Sequence, residues 1–367
     1  DLPMRSFEHA AARRRRARAV VLRIELGNGH AGWGEALPRE YVTGETVDSV
    51  ITDLREELWP ALVASWPGVP AGRPPRESAE RISAAVPQRD VEGHRTNAAA
   101  CALELAALEA SRVFPSGGRI EARVSGVLGS SDPDRTAERL RLMRLYGLRH
   151  FKLKLGLDEA CDEENLRLVA GGLGGALRSG ECTLRADING AWTAGQTPDR
   201  IVRLREVGVC AVEQPTFCPA GELAELAARC ELPLIADESL VTEEDAETLA
   251  AAGGKVWWNV RLSKNGGFVP ALAMARMAAE REIRFVVGCM VGESGILSLW
   301  QRRLLQAGAR PRFVEGNYGK LLLKADLVRP SPRFRYGGRL AEAPPRPCRV
   351  KRRALKRYAE HVATLRA

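Results

Sequence analysis

Eight short apolar runs recur along the later two thirds of the chain and constrain its fold more than any other feature. The runs occupy residues 124–128, 150–155, 182–186, 209–212, 232–236, 256–260, 283–287 and 312–314. Segments with helical periodicity separate most of them, for example residues 135–146, 198–207 and 270–281. Because parallel strands need a crossover between them, usually a helix, this alternation predicts a parallel α/β barrel.

An open, doubly wound sheet is the competing architecture for the same pattern. That fold normally carries a glycine-rich phosphate loop after its first strand. Residues 126–129, Gly-Val-Leu-Gly, match such a loop poorly. The barrel is therefore the preferred interpretation.

The first part of the chain has a different pattern. Residues 19–26 have the alternation of a strand, and residues 32–35 follow a glycine turn as a second strand of the same meander. Residues 45–62 and 95–112 show helical periodicity. Strands followed by helices predict an α+β domain.

The length of 367 residues accommodates a barrel of about 200–250 residues and a smaller domain. We place the α+β domain at residues 1–120 and the barrel at residues 121–325. The remaining residues, 326–367, are rich in proline and glycine, and we expect this segment to return to the first domain.

Three consecutive predicted strands each end on a carboxylate, at Asp187, Glu213 and Asp237, with gaps of 26 and 24 residues. Residues at the carboxyl ends of barrel strands are the prime catalytic candidates. Each acid by itself could cap a helix or pair with an arginine, but three brought together would repel one another. A divalent cation with oxygen ligands removes this conflict, and Mg²⁺ fits because it keeps positions open for water and substrate. The sequence thus predicts a Mg²⁺ site in which Mn²⁺ could substitute.

Two lysines, Lys152 and Lys154, end the second predicted strand and point to the same side because side chains alternate along a strand. Removal of a proton next to a carboxylate produces a dianionic enolate, whose charge a metal can stabilise. The base must be unprotonated near neutral pH, and a neighbouring cation lowers the pKa of a lysine. We therefore expect Lys154 to be the base and Lys152 to be its cationic neighbour, which can also contact the substrate carboxylate.

In this order, the elements resemble the enolase superfamily, specifically its muconate-lactonising-enzyme branch with the dipeptide epimerases and o-succinylbenzoate synthases. The similar segments are 34–35, 38–45, 97–109, Lys-x-Lys at 152–154, Asp-x-Asn at 187–189, Glu-Gln-Pro at 213–215 and Ala-Asp-Glu-Ser at 236–239. The resemblance implies a modified (β/α)₇β barrel of the TIM type with an α+β capping domain that the C-terminal segment completes. It also implies Mg²⁺ on the three carboxylates, Lys154 as an acid/base, a lid from the loops around residues 6–18 and 39–46, and a homo-oligomer.

Arg261 departs from the pattern of this branch. The branch normally has a second catalytic lysine 24 residues after the third metal ligand, and Arg261 holds that position, whereas Lys264 matches a different family lysine, before a Gly-Gly turn. An arginine stays protonated in proteins, so it is a poor base and a good fixed cation. This disfavours a racemase or epimerase that needs two bases. It favours a one-base lyase or cycloisomerase in which Lys154 makes every proton transfer.

Substrate contacts are expected from the loops and the remaining strand ends. The predicted set is Tyr41, Thr43, Asn189, Lys264, Glu293, Phe313 and Glu315. Dipeptide epimerases of the branch often carry Asp-x-Asp on the eighth strand to hold the substrate ammonium, and Phe313 and Glu315 take those places here. A free amine would therefore meet one counter-charge instead of two.

The net charge of +9 raises the question of an anionic partner. The excess is concentrated at residues 13–18 and 346–357, and aromatic residues make up only 5% of the chain, so we predict no nucleic-acid binding. The sequence contains no run of about 18 apolar residues, which would predict a membrane span, and its first residues do not show the charged-then-apolar pattern expected of a secretion signal. We expect a cytoplasmic enzyme that acts on a small carboxylate.

Three functions stay open at this point. The first is the one-base lyase or cycloisomerase. The second is a racemase or epimerase of dipeptides or N-acyl amino acids. The third is a catalytically retired protein that binds a carboxylate, with Arg261 as the lesion.

Overall fold

The computed structural model of the chain describes residues 1–9, 12–66, 68, 74–91, 93–114, 118–129 and 131–367. The side chains of residues 6–14 lie outside this description, and with them most of the expected lid segment 6–18 and part of the arginine run.

Eight parallel strands form one sheet in which each strand pairs with its neighbours in chain order. The strands are β7 (Gly126–Leu128), β8 (His150–Lys154), β9 (Thr183–Asp187), β10 (Val209–Glu213), β11 (Leu234–Ala236), β12 (Val256–Val260), β13 (Phe285–Val287) and β14 (Phe313–Val314). The two outer strands meet, because Val124 bridges Val314 in parallel and the Ser125 N–H donates to the Val314 carbonyl at 2.7 Å. The sheet therefore curls round towards a barrel.

One helix follows each of the first seven barrel strands. The helices are α6 (Pro133–Leu145), α7 (Glu159–Arg178), α8 (Thr197–Glu206), α9 (Ala220–Ala228), α10 (Glu243–Ala250), α11 (Phe268–Glu280) and α12 (Gly295–Gln306). Side-chain caps begin several of them: Asp158 accepts from the Cys161 N–H at 3.0 Å, and Thr242 accepts from the Asp245 N–H at 3.1 Å. The predicted modified (β/α)₇β barrel is confirmed.

The inward-facing side chains of the barrel form an apolar layer beneath its carboxyl-terminal mouth. This layer contains Ala211, Ile235, Trp257, Val286 and Phe313. Successive inward positions on a strand are two residues apart, so the next layer towards the mouth contains Glu213, Asp237, Asn259, Gly288 and Glu315. The polar layer thus lies directly on an apolar floor.

The first part of the chain forms an α+β unit built from short hairpins and helices. Its strands are β1 (Leu2–His9), β2 (Ala12–Ala17), β3 (Val20–Glu25), β4 (Ala31–Ala36), β5 (Asp90–Val91) and β6 (His94–Arg95). Its helices are α1 (Glu40–Thr43), α2 (Val47–Asp53), α3 (Trp59–Ala64), α4 (Pro75–Ala84) and α5 (Asn97–Ala110), with a π-helical turn at Leu54–Leu58. Helix α5 is buried along its whole length. Gly34 on β4 lets the strand approach α5 closely, because a Cβ there would lie 1.8 Å from the Ala102 carbonyl oxygen.

The C-terminal segment returns to this first unit. Leu323 bridges Met4 of β1, and the Cys348 N–H donates to Glu109 Oε1 of α5 at 2.9 Å. A last helix, α13 (Arg352–Tyr358), ends where the Tyr358 carbonyl accepts from the N-terminal ammonium at 2.8 Å. No helix in the described ranges combines the length and apolar character that crossing a membrane requires.

Buried glutamates of the first unit cap two barrel helices. Glu35 accepts from the Ser294 N–H at 2.9 Å and the Ser294 hydroxyl at 2.7 Å, at the start of α12. Glu104 accepts from the Val269 N–H at 3.3 Å, in the first turn of α11. Burial raises the pKa of each carboxyl to about 7. These contacts hold the first unit against the loops that follow β12 and β13.

Candidate active site

Three carboxylates lie at the carboxyl ends of three neighbouring barrel strands. Asp187 is the last residue of β9, Glu213 is the last residue of β10, and Asp237 directly follows β11. All three are buried, with at most 1% of each residue exposed. Adjacent parallel strands end at the same edge of a sheet, so the three side chains converge at the barrel mouth.

Lys152 is enclosed by carboxylates. Its Nζ lies 3.1 Å from Asp187 Oδ2, 3.1 Å from Glu213 Oε1 and 2.7 Å from Glu315 Oε2. Burial alone would lower the pKa of Lys152, but the three carboxylates outweigh burial and hold that pKa well above its ordinary value. Lys152 is therefore a fixed cation.

Lys154 lies closer to the mouth, two residues further along the same strand. Its ammonium donates to Asp187 Oδ2 at 2.9 Å and to Asn189 Oδ1 at 2.6 Å. Asn189 has a φ of 47°, in the left-handed region that asparagine tolerates better than most residues. Its N–H donates to Asp187 Oδ1 at 3.2 Å, so the turn after β9 holds Asn189 beside Lys154.

Two cations that follow β12, Arg261 and Lys264, contact the other carboxylates. Arg261 Nη2 donates to Asp237 Oδ2 and lies 3.3 Å from Glu213 Oε1. Lys264 Nζ donates to Asp237 Oδ1 at 3.0 Å, and to the carbonyls of Asp237 at 2.6 Å and Asn259 at 2.7 Å. Burial lowers the pKa of Lys264, whereas the surrounding carboxylates hold the pKa of Arg261 well above its ordinary value against burial.

Burial also changes the acids of the site. It raises the pKa of Glu213 to about 7, with Lys152 opposing the rise and neighbouring carboxylates adding to it. Glu238 follows Asp237 in the chain, and burial together with the Asp237 charge raises the pKa of Glu238 to about 8. Both acids are therefore easier to protonate than ordinary glutamates.

The chemistry of these donors fits a hard divalent cation. Within the described part of the chain, no three acidic, histidine or cysteine side chains form a ready-made metal site. Lys152 instead contacts both Asp187 and Glu213, and Arg261 contacts both Glu213 and Asp237. Two further buried oxygens beside this set, Glu238 Oε2 and Asn259 Oδ1, have no hydrogen-bond partner among the described residues. Buried acceptors without donors, next to carboxylates, suit a cation that binds oxygen.

The expected substrate contacts on the first unit occupy two different environments. Tyr41 is partly exposed on α1. Thr43 is buried, and its hydroxyl donates to Glu45 Oε2 at 2.7 Å, while Glu45 accepts from the Ala98 N–H at 2.9 Å. Thr43 therefore lies in a contact that caps α5. Arg39 connects this loop to the barrel, because it donates to the Val291 carbonyl at 2.8 Å.

The expected contacts on the barrel lie at different depths. Glu293 follows β13, and burial, assisted by the Glu35 charge, raises its pKa well above the ordinary value. The ring of Phe313 belongs to the apolar floor. Glu315 lies in the layer above, where Lys152 and Arg185 both contact it. No observation tests the predicted substrate roles of these residues, which stay predictions.

Arg185 is a buried residue of the site that the sequence analysis did not single out. Its Nη1 lies 2.9 Å from Glu315 Oε1, its Nη2 donates to Ser125 Oγ at 3.0 Å, and its guanidinium lies 4.2 Å from the centre of the Phe313 ring. A sequence signal was present, since Arg185 precedes Asp187 by two residues and must face the same side of β9. Glu238 gave no such signal, because the spacing of the strand ends selects its neighbour Asp237.

Cavities give little indication of where a substrate binds. A cavity of about 470 Å³ lies in the first unit between residues such as Leu26, Trp66 and Arg112, away from the carboxylates. A cavity of about 10 Å³ lies beside Met290 and Glu293 at the barrel mouth. The polar contacts described above, and not an open pocket, therefore define the candidate site.

Comparison with known proteins identifies relatives of this arrangement. Residues 135–347, more than half of the chain, match the family model described as enolase C-terminal domain-like. The N-succinyl-L-Arg/Lys racemase of Bacillus cereus is 26% identical over 295 residues, which cover 76% of this chain and 74% of the racemase. Muconate cycloisomerase 1 of Pseudomonas putida is 27% identical over 334 residues, which cover 86% of this chain and 83% of the cycloisomerase.

A solved structure shares the fold. The muconate lactonizing enzyme of Pseudomonas fluorescens, crystallised with muconolactone, aligns with a TM-score of 0.82 over 98% of this chain and 96% of that enzyme. The two sequences are 24% identical in this alignment, so the likeness establishes the architecture alone.

Proposed function

The chain belongs to the enolase superfamily, and from this premise we propose that it is a one-base lyase or cycloisomerase that removes the proton next to a substrate carboxylate with Lys154. Its relatives in the muconate cycloisomerase and racemase branch are lyases and isomerases. They support a reaction of this general class, on a small carboxylate, without naming the substrate.

The asymmetry between the two sides of the barrel carries the proposal. Lys154 is on β8 and Arg261 directly follows β12, four strands further along the sheet, so they face each other across the mouth. Inversion of a stereocentre through an enolate needs a proton carrier on each face. Lys154 can supply one, but Arg261 stays protonated and cannot supply the other.

We assign the divalent cation to Asp187, Glu213 and Asp237. Enzymes of this superfamily generally use Mg²⁺. When bound, the cation would supply the positive charge that stabilises the second negative charge of an enolate. Lys152 and Arg261 add permanent positive charge to the site.

Lys154 performs the proton transfers in this proposal. Its Nζ accepts the α-proton, and the electron pair of the broken C–H bond passes into the substrate carboxylate. Collapse of the enolate then breaks the bond to a leaving group on the β-carbon. Lys154 returns its proton to that leaving group on the same face. In a cycloisomerase the bond at the β-carbon belongs to a ring, so loss of the α-proton and cleavage of that bond open the ring. In the reverse direction the ring bond forms at the β-carbon and Lys154 protonates the α-carbon of the resulting enolate. Asn189 holds the lysine in place through the contact at 2.6 Å.

A racemase or epimerase is the second candidate, because one relative is an N-succinyl-L-Arg/Lys racemase. In that case a group other than Arg261 would have to protonate the second face. An epimerase activity of the purified protein that is lost in the Arg261→Lys variant would contradict the one-base proposal.

Proton exchange in D₂O tests the proposal without knowledge of the natural substrate. A library of small carboxylates is incubated with the full chain and Mg²⁺, and NMR follows loss of the α-proton signal. We expect exchange that needs both Mg²⁺ and Lys154, with retention of configuration. Exchange with inversion would favour the epimerase, and no exchange with any carboxylate would contradict both.

A further inference from the structure

We propose that Arg261 competes with the divalent cation for Glu213 and Asp237, so that the cation binds only when the guanidinium leaves these carboxylates. This inference rests on the proposed metal site. It adds that the affinity of the site for metal is set by an arginine of the chain itself.

The competition follows from which oxygens Arg261 uses. Its Nη2 contacts Asp237 Oδ2 and Glu213 Oε1 together. A guanidinium nitrogen that contacts two carboxylates takes the place where a cation bound to both would lie. Charge-assisted hydrogen bonds of this kind are stronger than those between neutral groups. A cation that enters must therefore replace contacts that already stabilise the buried acids.

The other cations of the site have anchors outside the proposed ligand set. Lys152 contacts Glu315 at 2.7 Å, and Lys154 contacts Asn189 at 2.6 Å. Lys264 donates to the Asn259 carbonyl at 2.7 Å. Each of these lysines can keep its position while the carboxylates turn towards a metal.

Arg261 lacks an anchor of that strength. Among the residues that the structure describes, the Arg261 side chain makes one weak hydrogen bond outside the carboxylates, from Nη1 to Met290 Sδ at 3.8 Å, and its Nε has no hydrogen-bond partner. Gly288 gives the side chain room, because a Cβ there would lie 3.0 Å from both Cγ and Nε of Arg261. The arginine is therefore held mainly by the groups that the metal needs, and it is the cation that moves.

Calorimetric titration of the metal-free chain with Mn²⁺ or Mg²⁺ alone tests this inference. The Arg261→Met variant removes the charge and keeps much of the length of the side chain. We expect it to bind metal about 10- to 100-fold more tightly than the unchanged protein, the range that corresponds to loss of one or two competing charge-assisted hydrogen bonds. The matched control is Arg203→Met on α8, which removes a surface arginine paired with Glu163 and leaves the affinity unchanged.

Two further variants make the result decisive. Arg261→Lys keeps a positive charge on a shorter side chain. We expect its affinity for the metal to lie between those of the unchanged protein and Arg261→Met. If Arg261→Met does not fold, the comparison of Arg261→Lys with the unchanged protein tests the competition. Asp187→Asn is combined with Arg261→Met because Asp187 is the proposed metal ligand outside the pair that Arg261 contacts. The double variant should lose the gain, and a gain that persists would place the metal elsewhere and overturn the inference.

The outcomes separate this inference from the proposed function. Equal metal affinities in the unchanged protein and both Arg261 variants would overturn the competition and leave the metal site standing. Absence of binding in all of them at millimolar metal would contradict the metal site itself.

Discussion

Lys152 Nζ lies 2.7 Å from Glu315 Oε2, and this contact separates the roles of the two lysines on β8. Glu315 is also held by Arg185 at 2.9 Å, so the carboxylate joins two buried cations. These cations hold the pKa of Glu315 down at about 2 despite burial, which would raise it. Lys152 is thereby kept charged, and Lys154, whose side chain lies nearer the mouth, is left as the candidate base.

Glu315→Gln is predicted to destabilise the fold. The substitution leaves Arg185 and Lys152 buried with one fewer counter-charge, and breaking a buried ion pair typically costs about 3–5 kcal/mol. We expect a loss of that order in the free energy of unfolding, measured by denaturant titration. The control is Glu231→Gln, which removes the surface partner of Arg205 and should leave the unfolding midpoint nearly unchanged. Equal midpoints for Glu315→Gln and the unchanged protein would show that the buried network contributes little.

Lys154→Met is predicted to abolish exchange of the substrate α-proton while the protein stays folded. A positioned general base contributes about 10²- to 10⁴-fold to a rate, and we expect a loss of that size in the D₂O exchange measured by NMR. Lys255→Met serves as the control, because Lys255 contacts the Cys230 carbonyl at 3.1 Å, away from the barrel mouth. Undiminished exchange in Lys154→Met would mean that a different group removes the proton.

Much of the barrel could be predicted because its signal is local and repeated. The eight predicted apolar runs coincide with β7–β14 to within a few residues, and the family that the strand ends indicated is confirmed. The β1–β2 hairpin was not predicted, because the arginines of β2 hide the alternation that reveals a strand. Alternation of apolar and polar residues predicts a strand only where one face of that strand is apolar.

The contacts between distant segments could not be predicted in the same way. Glu35 and Ser294 are 259 positions apart, and nothing in either segment indicates that one caps the other. The position of Arg261 was recognised from its spacing to Asp237, but its simultaneous contact with Glu213 depends on the curvature of the sheet. The division at residues 120 and 325, the homo-oligomer and the substrate-contact residues stay predictions.

Mg²⁺ is predicted to stabilise the folded protein through the proposed ligands. A ligand that binds only the folded state at 100 times its Kd adds about 2.7 kcal/mol. We expect a higher Tm with saturating Mg²⁺ than with EDTA, recorded by differential scanning calorimetry. The Tm of Asp237→Asn should not respond to Mg²⁺. A response as large as that of the unchanged protein would remove Asp237 from the ligand set.

Glu35 is predicted to make the stability of the protein depend on pH. Burial raises its pKa from the ordinary 4.5 to about 7 in the folded state. Between these values the folded protein retains a proton that the unfolded chain releases, so stability falls as pH rises from about 4.5 to about 7 and changes no further above that. One pKa unit corresponds to about 1.36 kcal/mol, which makes the full effect roughly 3 kcal/mol.

The variant Glu35→Gln removes this ionisation and keeps an oxygen that can accept from the Ser294 N–H. We therefore expect its stability, relative to the unchanged protein, to be greater at pH 8 than at pH 5, as measured by denaturant titration at both values. Glu247→Gln on the exposed side of α10 controls for the loss of a carboxylate. If the difference between Glu35→Gln and the unchanged protein is the same at both pH values, Glu35 does not retain its proton in the folded state, and the capping contact with α12 is made by a carboxylate throughout.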